Sequence, residues 1–428
     1  MKFLMTLFQI QDYGGIINHA EHLACGLKEL GHTVDFRMLV PKDKIVSRRV
    51  AQPKDIYEYR TLGTGYKFHQ ARGWFNLPKT PYLNSYHRKL FKEKCSEYDA
   101  ILWHIPVPTM SKENKGVDQW LDLYDHGTKN IAIIHDGNMP ELYPHMLKVI
   151  KHFDSCVCVH ESAFNSSEVL PLPRKLIVNP FKTQAISYHY YPESLPFHKR
   201  NGLTAVQVFK GWKRMDSLIR AIPYILPDQR KIIGGEGIEY RYMTSKDKCK
   251  DKYFYENGSR IWNVALQYGM EHIGTVPNEK VLQILKEVKL QVDPSYSKKY
   301  SEFGAHFNRT TIEAIIYGAV PVATDWGMKN SKIFTAGQNY IEVPAGCSSK
   351  TFAEIVNDGL TNPTLWQKIV DNNYDLVQMF DQKTVASEYV SLVEGKSNTL
   401  IGKPSEKTIA KCNKNLDFFS VGHVDYAM

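Results

Sequence analysis

Short apolar runs alternate with helix-length amphipathic segments along much of the chain. At its start, an apolar run predicts a strand over 3–8, helically spaced apolar positions predict a helix over 17–31, and a second strand follows over 33–40. Gly31 suits the end of that helix, because glycine tolerates the left-handed backbone that closes many helices. Further strands are predicted over 100–106, 130–137 and 156–162. This alternation indicates a parallel, doubly wound sheet.

The alternation lapses at two places and then resumes. Residues 41–94 lack it, and within them 57–89 mix aromatic and basic residues with turn formers, which predicts an insertion. The proline-containing stretch 175–200 is interpreted as a linker before a second series of strands and helices. We therefore predict three parts, which are a first domain at 1–185 with the insertion at about 41–94, a second domain at 201–375, and a C-terminal helix and tail at 376–428 that packs back toward the first domain.

Composition supports two packed cores in an intracellular protein. The 428 residues are 43% hydrophobic and 12% aromatic, and no stretch approaches the roughly 18 apolar residues of a membrane span. The apolar start runs into Gly14 and Gly15 without a small-residue cleavage site, so it predicts a buried strand rather than a signal peptide. The seven cysteines are scattered without metal-ligand spacing. We expect reduced thiols, no metal site and a cytoplasmic location.

The strand ends carry the candidate chemistry, because ligands of doubly wound sheets bind outside the carboxyl ends of the strands. Gly14, Gly15 and Ile16 open the first helix, where backbone N–H groups can approach an anion, although a plain tight turn fits equally well. Lys210 and Lys213 follow a strand of the second domain, as do Glu236 and Gly237. The two lysines could neutralise a diphosphate or form a solvated basic turn.

A further group of candidates lies at the start of a predicted helix over 308–318. Arg309, Thr310 and Thr311 begin this helix, and Glu313 is expected in its first turn. The carboxylate could be a favourable cap at the helix N-terminus, or it could accept hydrogen bonds from ribose hydroxyls while Arg309 holds phosphate.

The order of these segments resembles the donor domain of retaining GT-B glycosyltransferases. The similar segments are KGWK (210–213), IIGGEG (232–237), HIGTVPNEKVLQIL (272–285), VDPS (292–295) and IEAIIYGAVPVA (312–323). More narrowly, ELGHTV, YDAILWHIPVPT, IIHDG, VCVHES and EGIE resemble the DNA α-glucosyltransferases of T-even phages. The resemblance implies an α/β GT-B fold, with two Rossmann-like doubly wound domains facing a central cleft.

The resemblance also implies roles for individual residues. It assigns donor binding to Gly14, Gly15, Ile16, Lys210, Lys213, Glu236, Gly237, Arg309, Thr310, Thr311 and Glu313. It places His135 and Asp136 in the catalytic region, with Asp136 near the acceptor hydroxyl or the cationic sugar and His135 orienting one of them. A buried core histidine and a turn cap are the alternatives for this pair. Two positions depart from the pattern, since Lys210 replaces an arginine and Ala305 the first of two glutamates.

The implied reaction is sugar transfer from a UDP-sugar co-substrate with retained anomeric configuration. Lys210, Lys213, Arg309 and helix N-termini would stabilise the leaving diphosphate, with a divalent metal optional and no DxD motif. Glucose, another hexose and a pentose such as arabinose are all compatible with these residues, so the predicted activity is that of a hexosyl- or pentosyltransferase.

The narrower resemblance implies 5-hydroxymethylcytosine in phage double-stranded DNA as the acceptor. The net charge of +9 is compatible with a polyanionic partner or simply with a solvated basic surface. Candidate DNA contacts, by backbone binding and stacking, are Arg60, Lys67, Arg72, Trp74, Lys79, Arg88 and Lys89. The protein would then be a monomer in the cytoplasm of an infected bacterium, without stable membrane association.

Two other functions remain open. One is a bacterial surface-polysaccharide or lipid-carrier glycosyltransferase of the same fold, and the other is a DNA-binding protein built on a degenerate GT-B scaffold. The first would need a lysine-rich amphipathic helix with an apolar face on the first domain, which the sequence does not offer convincingly.

Overall fold

A computed structural model describes residues 1–7, 15–38, 85–104, 117–135, 148–181, 195–207, 209, 213–235, 240, 244, 252–296, 308–328 and 331–401. The chain divides into two compact units. Unit 1 comprises Met1–Lys182 and Phe380–Met428, and unit 2 comprises Thr183–Met379.

Unit 1 contains a seven-stranded sheet. Its strands are β1 (Lys2–Leu7), β2 (Thr33–Met38), β3 (Ala100–Trp103), β4 (Lys129–Ile134), β5 (Ser155–Cys158), β6 (Pro173–Leu176) and, numbered last in the chain, β13 (Leu400–Ile401). The spatial order is β13-β6-β5-β4-β3-β1-β2, and all neighbours are parallel except β13 and β6. The order reverses between β1 and β3. The carboxyl ends of these two strands are therefore where such a sheet binds ligands.

The helices of unit 1 come from both parts of the chain. They are α1 (Gly15–Glu29), α2 (Ser85–Cys95), α3 (Glu161–Ser166) and, after unit 2, α11 (Gln382–Val393), with 3₁₀ turns at Val117–Tyr124, Ile150–His152 and Ser167–Val169. Asp381 caps α11, because its carboxylate accepts hydrogen bonds from the backbone N–H groups of Lys383 and Thr384, both at 3.0 Å.

Unit 2 contains a six-stranded parallel sheet with helices between its strands. The strands are β7 (Leu203–Val206), β8 (Lys231–Gly234), β9 (Met270–His272), β10 (Leu290–Asp293), β11 (Val320–Thr324) and β12 (Ile341–Val343). The helices are α4 (Met215–Ala221), α5 (Lys252–Gln267), α6 (Asn278–Glu287), α7 (Arg309–Ile316), α8 (Asp325–Met328), α9 (Ser349–Thr361) and α10 (Pro363–Gln378), with 3₁₀ turns at Phe197–Lys199 and Ile222–Tyr224. The strand order, β12-β11-β10-β7-β8-β9, reverses between β7 and β10.

Each sheet is covered by apolar side chains, as the continuous apolar runs predict for parallel strands. In unit 1, Phe3, Leu4 and Met5 are fully buried, which confirms the prediction of a buried first strand. Gly31 follows α1 with a φ of 82°, the left-handed backbone predicted for that position. Three of the described cysteines, at 95, 156 and 158, are buried thiols.

Two sequence-based boundaries need correction. The predicted insertion extends to 94, yet Ser85–Cys95 forms α2, whose Phe91 and Cys95 are fully buried in the core of unit 1. Regular structure therefore resumes earlier than the aromatic and basic pattern indicated. The predicted linker begins at 175, yet Pro173–Leu176 forms β6, which pairs with β5. This strand is short and only half-buried, so its hydrophobic pattern was weak.

Candidate functional site

A network of polar side chains lies at the carboxyl edge of the unit 2 sheet, where the strand order reverses. Its centre is Asn308, which directly precedes α7. The Asn308 amide nitrogen donates to Gln207 Oε1 at 3.1 Å and to a carboxylate oxygen of Asp293, and the amide oxygen accepts from the Lys213 ammonium. Gln207 follows β7 and Asp293 ends β10. The network thus fixes a buried cationic side chain, Lys213, at the start of a helix.

The partners of this network are themselves held firmly. Asp293 is buried and also accepts from the backbone N–H of Ser295 at 3.1 Å and from its hydroxyl at 2.5 Å. Arg214, the residue after Lys213, has a left-handed backbone with a φ of 48°, an arrangement that costs a non-glycine residue on the order of 1 kcal/mol. Its guanidinium pairs with both carboxylate oxygens of Asp216, at 3.0 and 3.3 Å.

The start of α7 brings the remaining described donor candidates of unit 2 close to Lys213. Arg309 is the first residue of the helix, and Thr310 and Thr311 follow it. Glu313, however, does not lie in the first turn as the sequence predicted; that turn contains no acidic residue. Glu313 is one turn further on, where it pairs with Arg309, with 3.4 Å between Nε and Oε1. Burial raises the pKa of Glu313, and the neighbouring Arg309 and Asn278 reduce this rise.

Gly235 closes the neighbouring strand β8 and approaches the network from the other side. Its φ is 105°, and a Cβ atom at this position would lie 2.0 Å from the backbone oxygen of Gln207. Only glycine fits there without moving the backbone. Lys210, Glu236 and Gly237 lie outside the described residues, so their donor-binding roles stay predictions.

A cluster of histidines lies at the corresponding edge of unit 1. His104 follows β3 and His135 follows β4, and His104 Nδ1 is 3.4 Å from His135 Nε2. His19 of α1 packs edge-on against both, with ring centroids 5.4 Å from His104 and 4.9 Å from His135. Gly15 and Ile16 begin the same helix, whereas Gly14 and Asp136 lie outside the described residues.

The surroundings of this cluster keep the imidazoles of His104 and His135 neutral. Burial lowers the pKa of His104 well below the ordinary value, and His19 lowers it further. Burial likewise lowers the pKa of His135, with further lowering by His19, His104 and His160. Neutral rings each retain one acceptor nitrogen, so His135 can accept a hydrogen bond from a hydroxyl as well as donate one.

The next strand of unit 1 supplies the support for His135. His160 Nδ1 accepts a hydrogen bond from the Ala163 backbone N–H at 3.1 Å and so caps α3. Its other nitrogen therefore bears the proton and donates to the backbone oxygen of His135 at 3.0 Å. Burial lowers the pKa of His160 to about 4. The backbone of His135 is thereby fixed by a neutral neighbour.

The described residues include little of the predicted DNA contact surface. Lys89 is exposed on α2 and lies 3.9 Å from Glu93, one turn further along the helix. Arg88 belongs to the same helix, but its side chain is outside the described part, as are Arg60, Lys67, Arg72, Trp74 and Lys79. These DNA contacts stay predictions.

Sequence reasoning singled out His135 and Lys213 but missed several of their neighbours. Gln207, Asp293 and Asn308 each stand at the end of a strand or the start of a helix, which is a usable signal. His104 also follows a strand, as His135 does. His19 lies in mid-helix and its partner Tyr389 in a distant helix, where amphipathic spacing predicts core residues.

Two Rossmann-like α/β units, each with its polar cluster at the point of strand-order reversal, define the GT-B class of fold. The family model for Glycosyl transferases group 1 matches residues 191–376, which corresponds closely to unit 2. This match indicates a glycosyltransferase. A search of curated proteins finds no relative by sequence.

Several solved structures share the fold over nearly the whole chain. HepE (Alr3699) of Anabaena, solved with UDP and with UDP-glucose, is 15% identical with a TM-score of 0.64, covering 92% of this chain and 100% of its own. An α-glucosyltransferase in complex with UDP-glucose and DNA containing an abasic site is 11% identical with a TM-score of 0.62, at 92% and 99% coverage. The lipopolysaccharide outer core galactosyltransferase WaaB is 13% identical with a TM-score of 0.58, at 93% and 100% coverage.

Two further features are absent from the described parts of the chain. None of their helices has both the length and the apolar character needed to cross a membrane. They contain no group of three histidine, cysteine or acidic side chains arranged to hold a metal ion.

Proposed function

We propose that this protein transfers a sugar from a UDP-sugar to 5-hydroxymethylcytosine in double-stranded DNA, with retention of the anomeric configuration. The observation that carries the donor part is the buried Lys213 ammonium, fixed by Asn308 beside the start of α7. A cation beside a helix N-terminus, where the helix dipole favours negative charge, is suited to a diphosphate.

In this proposal the side chains at the edge of unit 2 bind and stabilise the leaving nucleotide. Lys213 and Arg309 offset the negative charge that grows on the diphosphate as the glycosidic bond breaks through an oxocarbenium-like state. Glu313, which restrains Arg309 at 3.4 Å, is suited to accept hydrogen bonds from ribose hydroxyls. His135 and Asp136 act on the sugar or on the acceptor hydroxyl, and a divalent metal stays optional.

The choice of DNA as acceptor has two supports. The chain is similar in fold to an α-glucosyltransferase solved with UDP-glucose and DNA, and it carries a net charge of +9. The second candidate is a polysaccharide or lipid-carrier glycosyltransferase, which is favoured by the comparable likeness to the outer core galactosyltransferase WaaB. Both candidates use the same donor chemistry, so only the acceptor distinguishes them.

The experiment is a transfer assay with 5-hydroxymethylcytosine DNA and a panel of UDP-hexoses and UDP-pentoses. The DNA is digested to nucleosides and analysed by mass spectrometry. We expect a mass gain of one sugar residue on hydroxymethyldeoxycytidine with one donor, and none on DNA that contains only unmodified cytosine. No gain with any donor, on DNA that a control glucosyltransferase modifies, overturns the DNA proposal. If the protein hydrolyses a UDP-sugar under those conditions, it is still a sugar-transferring enzyme, and acceptors other than DNA are to be tested.

A variant of Asp136 tests the division of roles between the two units. We expect Asp136→Ala to abolish sugar transfer while UDP binding, measured by isothermal titration calorimetry, stays within about twofold of wild type. A large loss of UDP binding would instead assign Asp136 to the donor site.

A further inference from the structure

The His19 ring packs edge-on against the side chain of His135. Its centroid is 4.9 Å from that of His135, and the two ring planes meet at 85°. It stands in a similar edge-on relation to His104, at 5.4 Å and 72°, while His104 and His135 stack on one another at 23°. Because His19 is fully buried and touches both rings, its orientation determines the space in which His135 can turn.

Two hydrogen bonds, one at each ring nitrogen, fix the orientation of His19. Its Nδ1 lies 2.9 Å from Asn179 Oδ1, and its Nε2 lies 3.2 Å from the hydroxyl of Tyr389. The amide oxygen can only accept, so His19 Nδ1 donates to it, while Nε2 shares a hydrogen bond with the Tyr389 hydroxyl. Burial raises the pKa of Tyr389 well above its ordinary value, so this hydroxyl stays protonated and able to donate.

Tyr389 is itself held rigidly, because α11 is fastened along its length. Near its start, Gln382 Nε2 donates to Glu29 Oε1 at 2.5 Å, and the backbone N–H of Gln382 donates to the Phe181 oxygen at 2.9 Å. At its end, Lys129 Nζ donates to the backbone oxygen of Val393 at 2.5 Å. Tyr389 lies between these attachments and is fully buried.

We propose that Tyr389 is a positioning residue for catalysis: through its hydrogen bond to His19, it holds His135 in the orientation that the transfer reaction needs. The inference rests on the proposed function, in which His135 acts on the sugar or acceptor. In this proposal α11, which follows unit 2 in the chain, contributes to orienting the catalytic candidate His135 of unit 1.

Loss of the Tyr389 hydroxyl has a defined physical consequence. In Tyr389→Phe the aromatic ring still fills its place, but His19 Nε2 loses its hydrogen bond to the Tyr389 hydroxyl inside the core. The His19 ring can then tilt or exchange its tautomer, and the restraint on His135 is lost. Small displacements of a reacting group lower kcat strongly, whereas binding of the nucleotide does not depend on His135.

The test compares Tyr389→Phe with Tyr98→Phe. Tyr98 is a matched control, because it is buried in the same unit and its hydroxyl donates to Asp35 Oδ2 at 2.6 Å, just before β3 at the opposite edge of the sheet. With UDP-glucose, or whichever donor the panel selects, and hydroxymethylcytosine DNA, we expect Tyr389→Phe to lower kcat about tenfold with an unchanged KM for the donor. Tyr98→Phe is expected to leave both constants unchanged.

A second readout does not depend on enzyme activity. Long-range ¹H–¹⁵N spectra of the full chain with ¹⁵N-labelled histidine report the tautomer of each ring, and the signals of His135 are assigned by their loss in His135→Asn. We expect Tyr389→Phe to shift the His135 signals and Tyr98→Phe to leave them in place. If wild-type protein transfers no sugar at all, the proposed function fails, yet these spectra still decide whether Tyr389 orients His135.

Two outcomes overturn the inference. One is a kcat for Tyr389→Phe within about twofold of that for Tyr98→Phe, and the other is an unchanged set of His135 signals. If Tyr389→Phe does not fold, as judged by circular dichroism, Asn179→Ala replaces it. Asn179 is only half-buried, and its replacement removes the hydrogen bond at the other ring nitrogen of His19. The same kinetic and spectroscopic results then support or overturn the proposal.

Discussion

Hydrogen bonds fix the direction of key polar side chains in both units. In unit 1 burial keeps His104, His135 and His160 uncharged, so these rings serve as hydrogen-bonding groups of fixed direction. In unit 2 the buried Lys213 is kept at a helix start by a neutral amide, Asn308. In the proposed function this places the Lys213 side chain where an anionic ligand would bind.

The neutral state of His160 makes the protein sensitive to acid. The pKa of His160 falls from 6.5 to about 4 on folding, so between these pH values the unfolded chain binds more protons than the folded one. The stabilisation is present above pH 6.5 and is lost as the pH falls. We expect His160→Asn, which keeps an acceptor for the cap of α3, to reduce the loss of unfolding free energy between pH 7 and 4.5 by roughly 2 to 3 kcal/mol in urea titrations. The exposed His198, changed to Asn, is the control; equal acid losses in both variants would contradict the assignment.

In the proposed function the charge of Lys213 contributes to the binding free energy of UDP. Lys213→Met keeps the length of the side chain and removes its charge. We expect the Kd for UDP to rise about thirtyfold, which corresponds to about 2 kcal/mol for a charge-assisted hydrogen bond. Calorimetric titration with UDP measures the effect, and the exposed Lys350→Met in the same unit is expected to bind as wild type. Unchanged binding by Lys213→Met would remove this lysine from the donor site.

Among the helices, the pair α1 and α11 shows how closely two elements distant in sequence can pack. Gly26 of α1 faces the first residue of α11, and His19, about two turns earlier in α1, meets Tyr389 further along α11. The two helices therefore run antiparallel. A Cβ atom on Gly26 would lie 2.0 Å from the backbone oxygen of Gln382 and 2.9 Å from the Ala386 Cβ, so the contact depends on the absence of a side chain.

Gly26→Ala tests this contact. Alanine favours an isolated helix by about 1 kcal/mol over glycine, but here it must push α11 away from α1. We expect a net loss of about 2 kcal/mol in the free energy of unfolding, measured by thermal or urea denaturation. Lys28→Ala, at an exposed position of the same helix, is expected to change stability by less than about 0.5 kcal/mol. Stabilisation by Gly26→Ala would mean that the helices are not in close contact.

Local signals explain which elements and site residues the sequence could predict. Long amphipathic helices and buried parallel strands have strong periodicity, and residues that follow such a strand lie toward the ligand-binding edge. Lys213 was found in this way, whereas His135 was assigned through the resemblance of the IIHDG segment. The short, half-buried β6 lacks periodicity, and α2 was hidden in a stretch rich in aromatic and basic residues. Glu313 was placed one turn too early, because a helix start cannot be located from sequence to within a few residues.

At the scale of the whole molecule, unit 1 is built from two separate parts of the chain. Residues 380–401 add α11 and the edge strand β13 to a sheet formed by the first 182 residues. The contact between His19 and Tyr389 spans 370 positions, and no pattern within a short window reports it. The sequence predicts that the C-terminal helix packs toward the first domain, but the pairing of Tyr389 with His19 is a property of the folded structure alone.

The division into units predicts how a shortened chain behaves. A chain ending at Met379 lacks α11, so it exposes the apolar face of α1 and loses the partner of His19. We expect its unit 1 to unfold at a markedly lower temperature while the transition of unit 2 persists, as measured by differential scanning calorimetry. A chain ending at Ile401 keeps every described element and is expected to retain both transitions. An unchanged unit 1 transition in the shorter chain would show that α11 adds little stability.

Because unit 1 consists of two separate chain segments, its histidine cluster can form its full set of contacts only late in protein synthesis. His19 leaves the ribosome early, but Tyr389 follows it by 370 residues, which at 5–20 residues per second is a delay of about 20 to 70 s. Unit 2 is translated entirely within that interval and can fold before unit 1 is complete. Unit 1 is thus the first to begin synthesis and the last to finish folding. During this delay the apolar face of α1 is not yet covered by α11. Chaperones or temporary partners are then needed to cover that face.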